Sequence, residues 1–164
     1  MCEATDEPTA VYLQPGESFF ALEQTIISTI LGSCVSVTLW CERLRVGAMT
    51  HSQLPKCPKT SRVVSLAMGR RYVDFAIREL ARRFDELGVE RSQVQVKLFG
   101  GADVLRTKSH STARATVGSL NCDKAIAVLE AEGFHVSASS LRGCVGRKIQ
   151  FHTGTGDVLV RCLS

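Results

Sequence analysis

Val35-Ser36-Val37-Thr38-Leu39-Trp40 alternates apolar and hydroxyl-bearing side chains along its length, the period of a strand with two unlike faces. Two further β-rich runs flank it, Thr25-Ile26-Ile27-Ser28 before and Arg45-Val46-Gly47-Ala48-Met49 after. The spacing predicts three adjacent short strands, the second and third joined at Cys41-Glu42-Arg43-Leu44 by a hairpin connection. Past Leu54-Pro55, the prolines and lysines of Lys56-Cys57-Pro58-Lys59-Thr60-Ser61 read as exposed coil.

Farther along the chain the period changes. Val73, Ala76, Ile77, Leu80, Phe84 and Leu87 recur at helical spacing and Gly88 stands at the C-terminal cap, so an amphipathic helix is expected to cover one side of a sheet. Val94, Val96 and Leu98 alternate as a strand running into Gly100-Gly101, a pair able to turn tightly or admit another backbone. A shorter helix is expected from Asn121 to Glu132, capped by Asn121 or Asp123 and ended by Gly133. Phe134 to Ser139 reads as a strand. A hairpin follows, Arg147 to His152 and Val158 to Leu163, turning at Thr153-Gly154-Thr155-Gly156-Asp157. The order β-β-β-α-β-α-β-β-β lacks regular β-α alternation, which places the chain in the α+β class. One domain is expected, a β-sheet or sandwich core flanked by two main helices, over 16–164 behind an N-terminal tail of 1–15.

Bulk properties narrow the function. A chain of 164 residues, 45% hydrophobic and 22% charged, has the composition of an ordinary globular domain. Its net charge of +4 comes from bases interleaved with acids, as in Arg78 and Arg82-Arg83 beside Glu79, Asp85 and Glu86. That pattern is a solvated helix face, and no nucleic-acid partner is expected. Apolar stretches are strand-sized and the first eight residues are acidic and polar, unlike a secretory leader, so the expected setting is the cytoplasm without membrane insertion. Seven cysteines are an odd number with no Cys-x-x-Cys pair, and the four histidines lack metal-ligand spacing. Most of the thiols are expected to be buried and reduced, with no metal.

Cys34 and His51 lie 17 positions apart, at the start of one expected strand and the end of its neighbour. A thiol is nucleophilic as thiolate, and a nearby imidazole can take its proton and return one to a leaving group. Whether the two share a face depends on strand register. A third polar group is needed to fix the imidazole tautomer, and hydroxyls are the nearby candidates. The backbone N–H groups of a tight turn at Gly32-Ser33 are suited to face an oxyanion.

The string Leu31-Gly32-Ser33-Cys34-Val35-Ser36-Val37, then Val46-Gly47-Ala48-Met49-Thr50-His51 and Leu54-Pro55, resembles the CheD family of chemotaxis proteins. The similarity continues through Lys97-Leu98-Phe99-Gly100-Gly101-Ala102, Gly143 to Lys148 and Thr153-Gly154-Thr155-Gly156. The resemblance implies a CheD-like deamidase fold and hydrolysis of glutamine side-chain amides in methyl-accepting chemoreceptors to glutamate and ammonia. It puts the nucleophile on Cys34, the base on His51 and the orienting hydroxyl, a threonine in the family, on Ser28. Thr29 is one residue away, and alternation turns it to the opposite face from Ser28 unless a bulge intervenes. Gly32, Ser33, Thr29, Gly100 and Gly101 are further candidates for substrate or partner contacts, and Arg142, Arg147 and Lys148 for docking. Val117-Gly118-Ser119-Leu120-Asn121 departs from the family's usual charged pair between its glycine and asparagine.

No cofactor is expected. The implied partners are the cytoplasmic helices of chemoreceptors and a CheC-type phosphatase. The alternative function is a non-catalytic adaptor that binds a receptor or such a phosphatase; a weaker one is a small-molecule amidase, which needs an enclosed pocket.

Overall fold

The computed structural model describes residues 7–59, 65–105 and 115–163. The chain is α+β, with two stacked sheets and helices on the outer face of one of them. Among the described residues the strands and α-helices are β1 (Thr9–Tyr12), β2 (Ser18–Ala21), β3 (Thr25–Leu31), β4 (Val35–Cys41), β5 (Val46–Thr50), α1 (Leu66–Gly69), α2 (Val73–Glu86), β6 (Gln95–Gly100), α3 (Val117–Ala131), β7 (Val136–Leu141), β8 (Arg147–His152) and β9 (Asp157–Cys162). The first sheet runs β1-β3-β8-β9 and the second β2-β5-β4-β6-β7.

The three early strands are therefore not neighbours in one sheet. β4 and β5 pair antiparallel as expected, but β3 lies in the other sheet, antiparallel to β8. Burial explains the division. Six of the seven β4 residues are buried, as a strand covered on both faces must be, whereas β3 alternates buried with partly or fully exposed residues, as a strand of an outer sheet does. The Gly32–Cys34 turn carries the chain from one sheet to the other. β1 and β2 are the strands the sequence reading did not include, four residues each. β1, within the stretch read as a tail, pairs parallel with β3.

Two apolar layers result. Val37, Leu39, Val96 and Leu98 face Ile77, Leu80, Phe84 and Leu129 of α2 and α3, while Ile27, Leu31, Ile149 and Phe151 meet Met49 and Phe99 between the sheets. Burying a side chain as large as Phe84 or Phe151 contributes about 1.5–3 kcal/mol. The expected helix and closing hairpin are present nearly to the residue in α2, β8 and β9. α3 starts earlier than expected: Thr116 is its N-cap, accepting from the Ser119 amide, and Asn121 is inside the helix. The coil read over 56–61 lies partly outside the described residues. Two of the six described cysteines are buried, Cys41 and Cys122, fewer than expected; Cys144 follows the β7 end and Cys162 sits on edge strand β9, both exposed.

The approach of α3 to β6 is set by missing side chains. A Cβ on Gly101 would stand 2.1 Å from Cys122 Sγ, and one on Gly118 2.6 Å from the Gly101 carbonyl oxygen. Gly118→Ala is expected to force α3 off this seat and cost about 1–3 kcal/mol, read as a lower denaturation midpoint with unchanged slope in urea unfolding; an unchanged midpoint would show that the contact is not tight.

Candidate active site

His51 immediately follows β5 and is 2% exposed. The register left open by the sequence is settled by the pairs Thr38↔Met49 and Val35↔Ser52, which put His51 across from Ser36. Cys34, two residues before Ser36, is thus the diagonal neighbour of His51 on one face. Such neighbours are about 7–8 Å apart, within reach of long side chains. That face looks inward between the sheets, because Met49 and Cys34 both pack on the inter-sheet layer. Cys34 stays half-buried at its edge.

The third member of the set comes from the opposite sheet. Thr29 Oγ1 is 2.7 Å from His51 Nδ1 and also 2.7 Å from the Leu13 carbonyl oxygen. The carbonyl can only accept, so the single hydroxyl proton of Thr29 goes to Leu13. Thr29 must then accept from Nδ1–H. This fixes the tautomer, leaving Nε2 unprotonated for work as a base. Leu13 is itself held by its N–H donating to the Ser28 carbonyl.

Ser28, on which the family resemblance placed the orienting hydroxyl, does not make this contact. In β3 the inward positions are Ile27, Thr29 and Leu31, and Ser28 shares the outer face with Ile26 and Ile30. The strand's period-two alternation decides between the two hydroxyls. It was readable in the sequence once β3 was assigned to the outer sheet.

Gly100 and Gly101 are buried against the Gly32–Cys34 turn and α3. The Gly101 N–H donates to the Cys34 carbonyl and the Ala102 N–H to that of Gly32. A Cβ on Gly100 would lie 2.2 Å from the Cys34 carbonyl oxygen. Their evident work is to hold the Gly32–Cys34 turn. Arg147, a docking candidate, is buried and bonded to Ser140 Oγ and the Arg142 carbonyl. Arg142 is ion-paired with Asp123 at 2.6 Å. Two contributors were not anticipated: Leu13, which no sequence signal marks, and Asn121, read as a helix cap. Asn121 donates instead to the Ser33 and Gln53 carbonyls.

Burial sets the resting protonation of the pair. It pushes the Cys34 thiol up, partly opposed by the thiol's own backbone N–H. It also pushes His51 down, opposed by the Leu13 carbonyl and the charge of Glu17. Both shifts favour neutral thiol beside neutral imidazole at neutral pH rather than a preformed ion pair. Among the described residues no group of three or more His, Cys, Asp or Glu side chains converges as a metal site would require.

A half-buried thiol, an imidazole in a fixed tautomer and a hydroxyl bonded to it are the side-chain types that cysteine-dependent acyl transfer employs. Residues 54–162 match the family model described as CheD chemotactic sensory transduction. The chain is 43% identical over 154 residues, 94% of its length, to the probable chemoreceptor glutamine deamidase CheD 2 of Geobacter sulfurreducens, covering 90% of that protein. It is 37% identical over 158 residues to the probable chemoreceptor glutamine deamidase CheD of Maridesulfovibrio salexigens, covering 93% of this chain and 91% of that one. This chain belongs to the CheD family.

Imidazole nitrogen NMR tests the hydrogen bonds directly. The neutral ring of His51 is expected as the Nδ1–H tautomer, titrating below the ordinary value of about 6.5. Thr29→Ala should mix the tautomers while Ser28→Ala leaves them unchanged; the reverse result would return the orienting role to Ser28.

Proposed function

We propose that the chain is a protein-glutamine deamidase that hydrolyses glutamine side-chain amides on the cytoplasmic helices of methyl-accepting chemoreceptors, with Cys34 as nucleophile and His51 as acid and base. The observation that carries this reading is the Leu13–Thr29–His51 chain of hydrogen bonds, which prepares Nε2 to accept a proton. The relatives in Geobacter sulfurreducens and Maridesulfovibrio salexigens, probable chemoreceptor glutamine deamidases, supply the substrate class.

Cys34 Sγ attacks the side-chain carbonyl carbon as His51 Nε2 takes the thiol proton, giving a tetrahedral oxyanion. The Val35, Gly101 and Ala102 N–H groups are already committed to backbone carbonyls. The oxyanion donors therefore come from the turn itself, Gly32 and Ser33 with the Cys34 N–H that faces its own sulfur. The imidazolium proton passes to the departing nitrogen, which leaves as ammonia, and a thioester remains on Cys34. Water then attacks the thioester with His51 again as base, releasing glutamate and restoring the thiol.

The surroundings suit a protein helix as substrate. Val104 overhangs Gly32, Leu105 beside it is 92% exposed, and Val117 and Leu120 are exposed on the first turns of α3. An apolar rim at a half-buried nucleophile fits an amphipathic segment offering one glutamine.

Mass spectrometry of receptor cytoplasmic fragments should detect glutamine-to-glutamate conversion with the intact protein and none with Cys34→Ala. No conversion by folded protein on any fragment would shift the reading to an adaptor for receptors or a CheC-type phosphatase. Thr29→Ala should lower kcat by about 10–100-fold, the usual range for losing the partner that orients a functional histidine, with Ser28→Ala near the parent. The kcat/KM profile should fall at low pH with a midpoint below the ordinary imidazole value, because only neutral His51 accepts the thiol proton and its pKa is lowered. The alkaline limb should lie above the ordinary thiol value, because the Cys34 pKa is raised.

A further inference from the structure

Asn121 is wholly buried in α3, yet it serves no helix end. Its side-chain NH2 donates to two carbonyls at once, Ser33 O at 3.0 Å and Gln53 O at 3.0 Å. Only the amide nitrogen can meet two acceptors, so the orientation of the group is settled. Ser33 immediately precedes the nucleophile and Gln53 lies two residues after the base.

The position of this contact matters more than its strength. The backbone ladder between β4 and the strand that carries His51 ends at Val35↔Ser52, with bonds of 3.0 and 2.9 Å between those residues. Continuing that register puts Cys34 across from Gln53, past the last rung, where no backbone bond joins the two segments. Asn121 closes that gap by bonding to one carbonyl on each strand. Its own Oδ1 is buried with no partner among the described residues. A buried amide retained for stability alone is expected to satisfy both ends. α3 can bring Asn121 this deep because Gly101 and Gly118 meet without Cβ atoms between them.

We propose that Asn121 is a positioning residue that fixes the separation of the Cys34 thiol and the His51 imidazole by tying the chain before one to the chain after the other. This rests on the reading of Cys34 and His51 as nucleophile and base. It does not depend on which amide is hydrolysed.

The test is the rate of Cys34 alkylation by iodoacetamide against pH in the parent, Asn121→Ala, His51→Ala and the double variant. Asn121→Ala should lose several-fold in rate near neutral pH and follow the profile of His51→Ala. The double variant should be no slower than His51→Ala, since both remove the same assistance. Leu129→Ala, a buried position on the same helix, supplies a variant of lowered stability that should keep the parent profile. Should Asn121→Ala not fold, Asn121→Ser offers one donor for two acceptors and should give an intermediate profile. On receptor fragments, kcat should fall by up to about 10²-fold, the scale of a 1 Å misplacement, with KM nearly unchanged. A parent-like alkylation profile in Asn121→Ala, or losses that multiply with His51→Ala, would overturn the proposal. Absent deamidation in the parent with the alkylation coupling intact would sink the substrate reading alone.

Discussion

The two sheets of this protein are joined at a buried hydrogen bond that admits a single proton arrangement. Thr29 projects from the first sheet and His51 from the end of β5 in the second, and they meet at 2.7 Å beneath the surface. Because the Leu13 carbonyl takes the hydroxyl proton, the ring has no choice of tautomer. A slip of one residue in β3 would turn Thr29 outward and bring Ser28 or Ile30 to its place, so sheet register and site chemistry are one constraint. The packing of Ile27, Leu31, Phe151 and Met49 between the sheets enforces it.

Cys34 is held by a second set of constraints, acting on the backbone of its turn. The Gly32–Cys34 turn connects the sheets, and its carbonyls are taken by Gly101, Ala102 and Asn121. Gly100 and Gly101 allow this closeness because no side chain intervenes between β6, the turn and α3. All three carbonyls of the turn are thus drawn toward the protein. Burial of Cys34 and His51 then favours their neutral forms at rest.

The hydrophobic period of Val35–Trp40, the helical spacing of Val73–Leu87 and the glycine-rich turn after His152 determined most of the elements and the α+β class, because each is a local pattern in which neighbouring residues sort themselves by face. Cys34 and His51 stood out as residue types at the ends of two expected strands, but whether they share a face was left to the strand register, which the pairs Thr38↔Met49 and Val35↔Ser52 supply. Which hydroxyl serves His51, how the sheets divide the strands, and what Asn121 does were decided by tertiary structure. β3 and β4 adjoin in sequence but separate in space, because β4 is buried on both faces and β3 only on one. Leu13 and Asn121 reach the site across 38 and 70 positions of chain from His51, counted along the sequence. No local period encodes such a meeting; it exists only when two sheets and a helix are packed together.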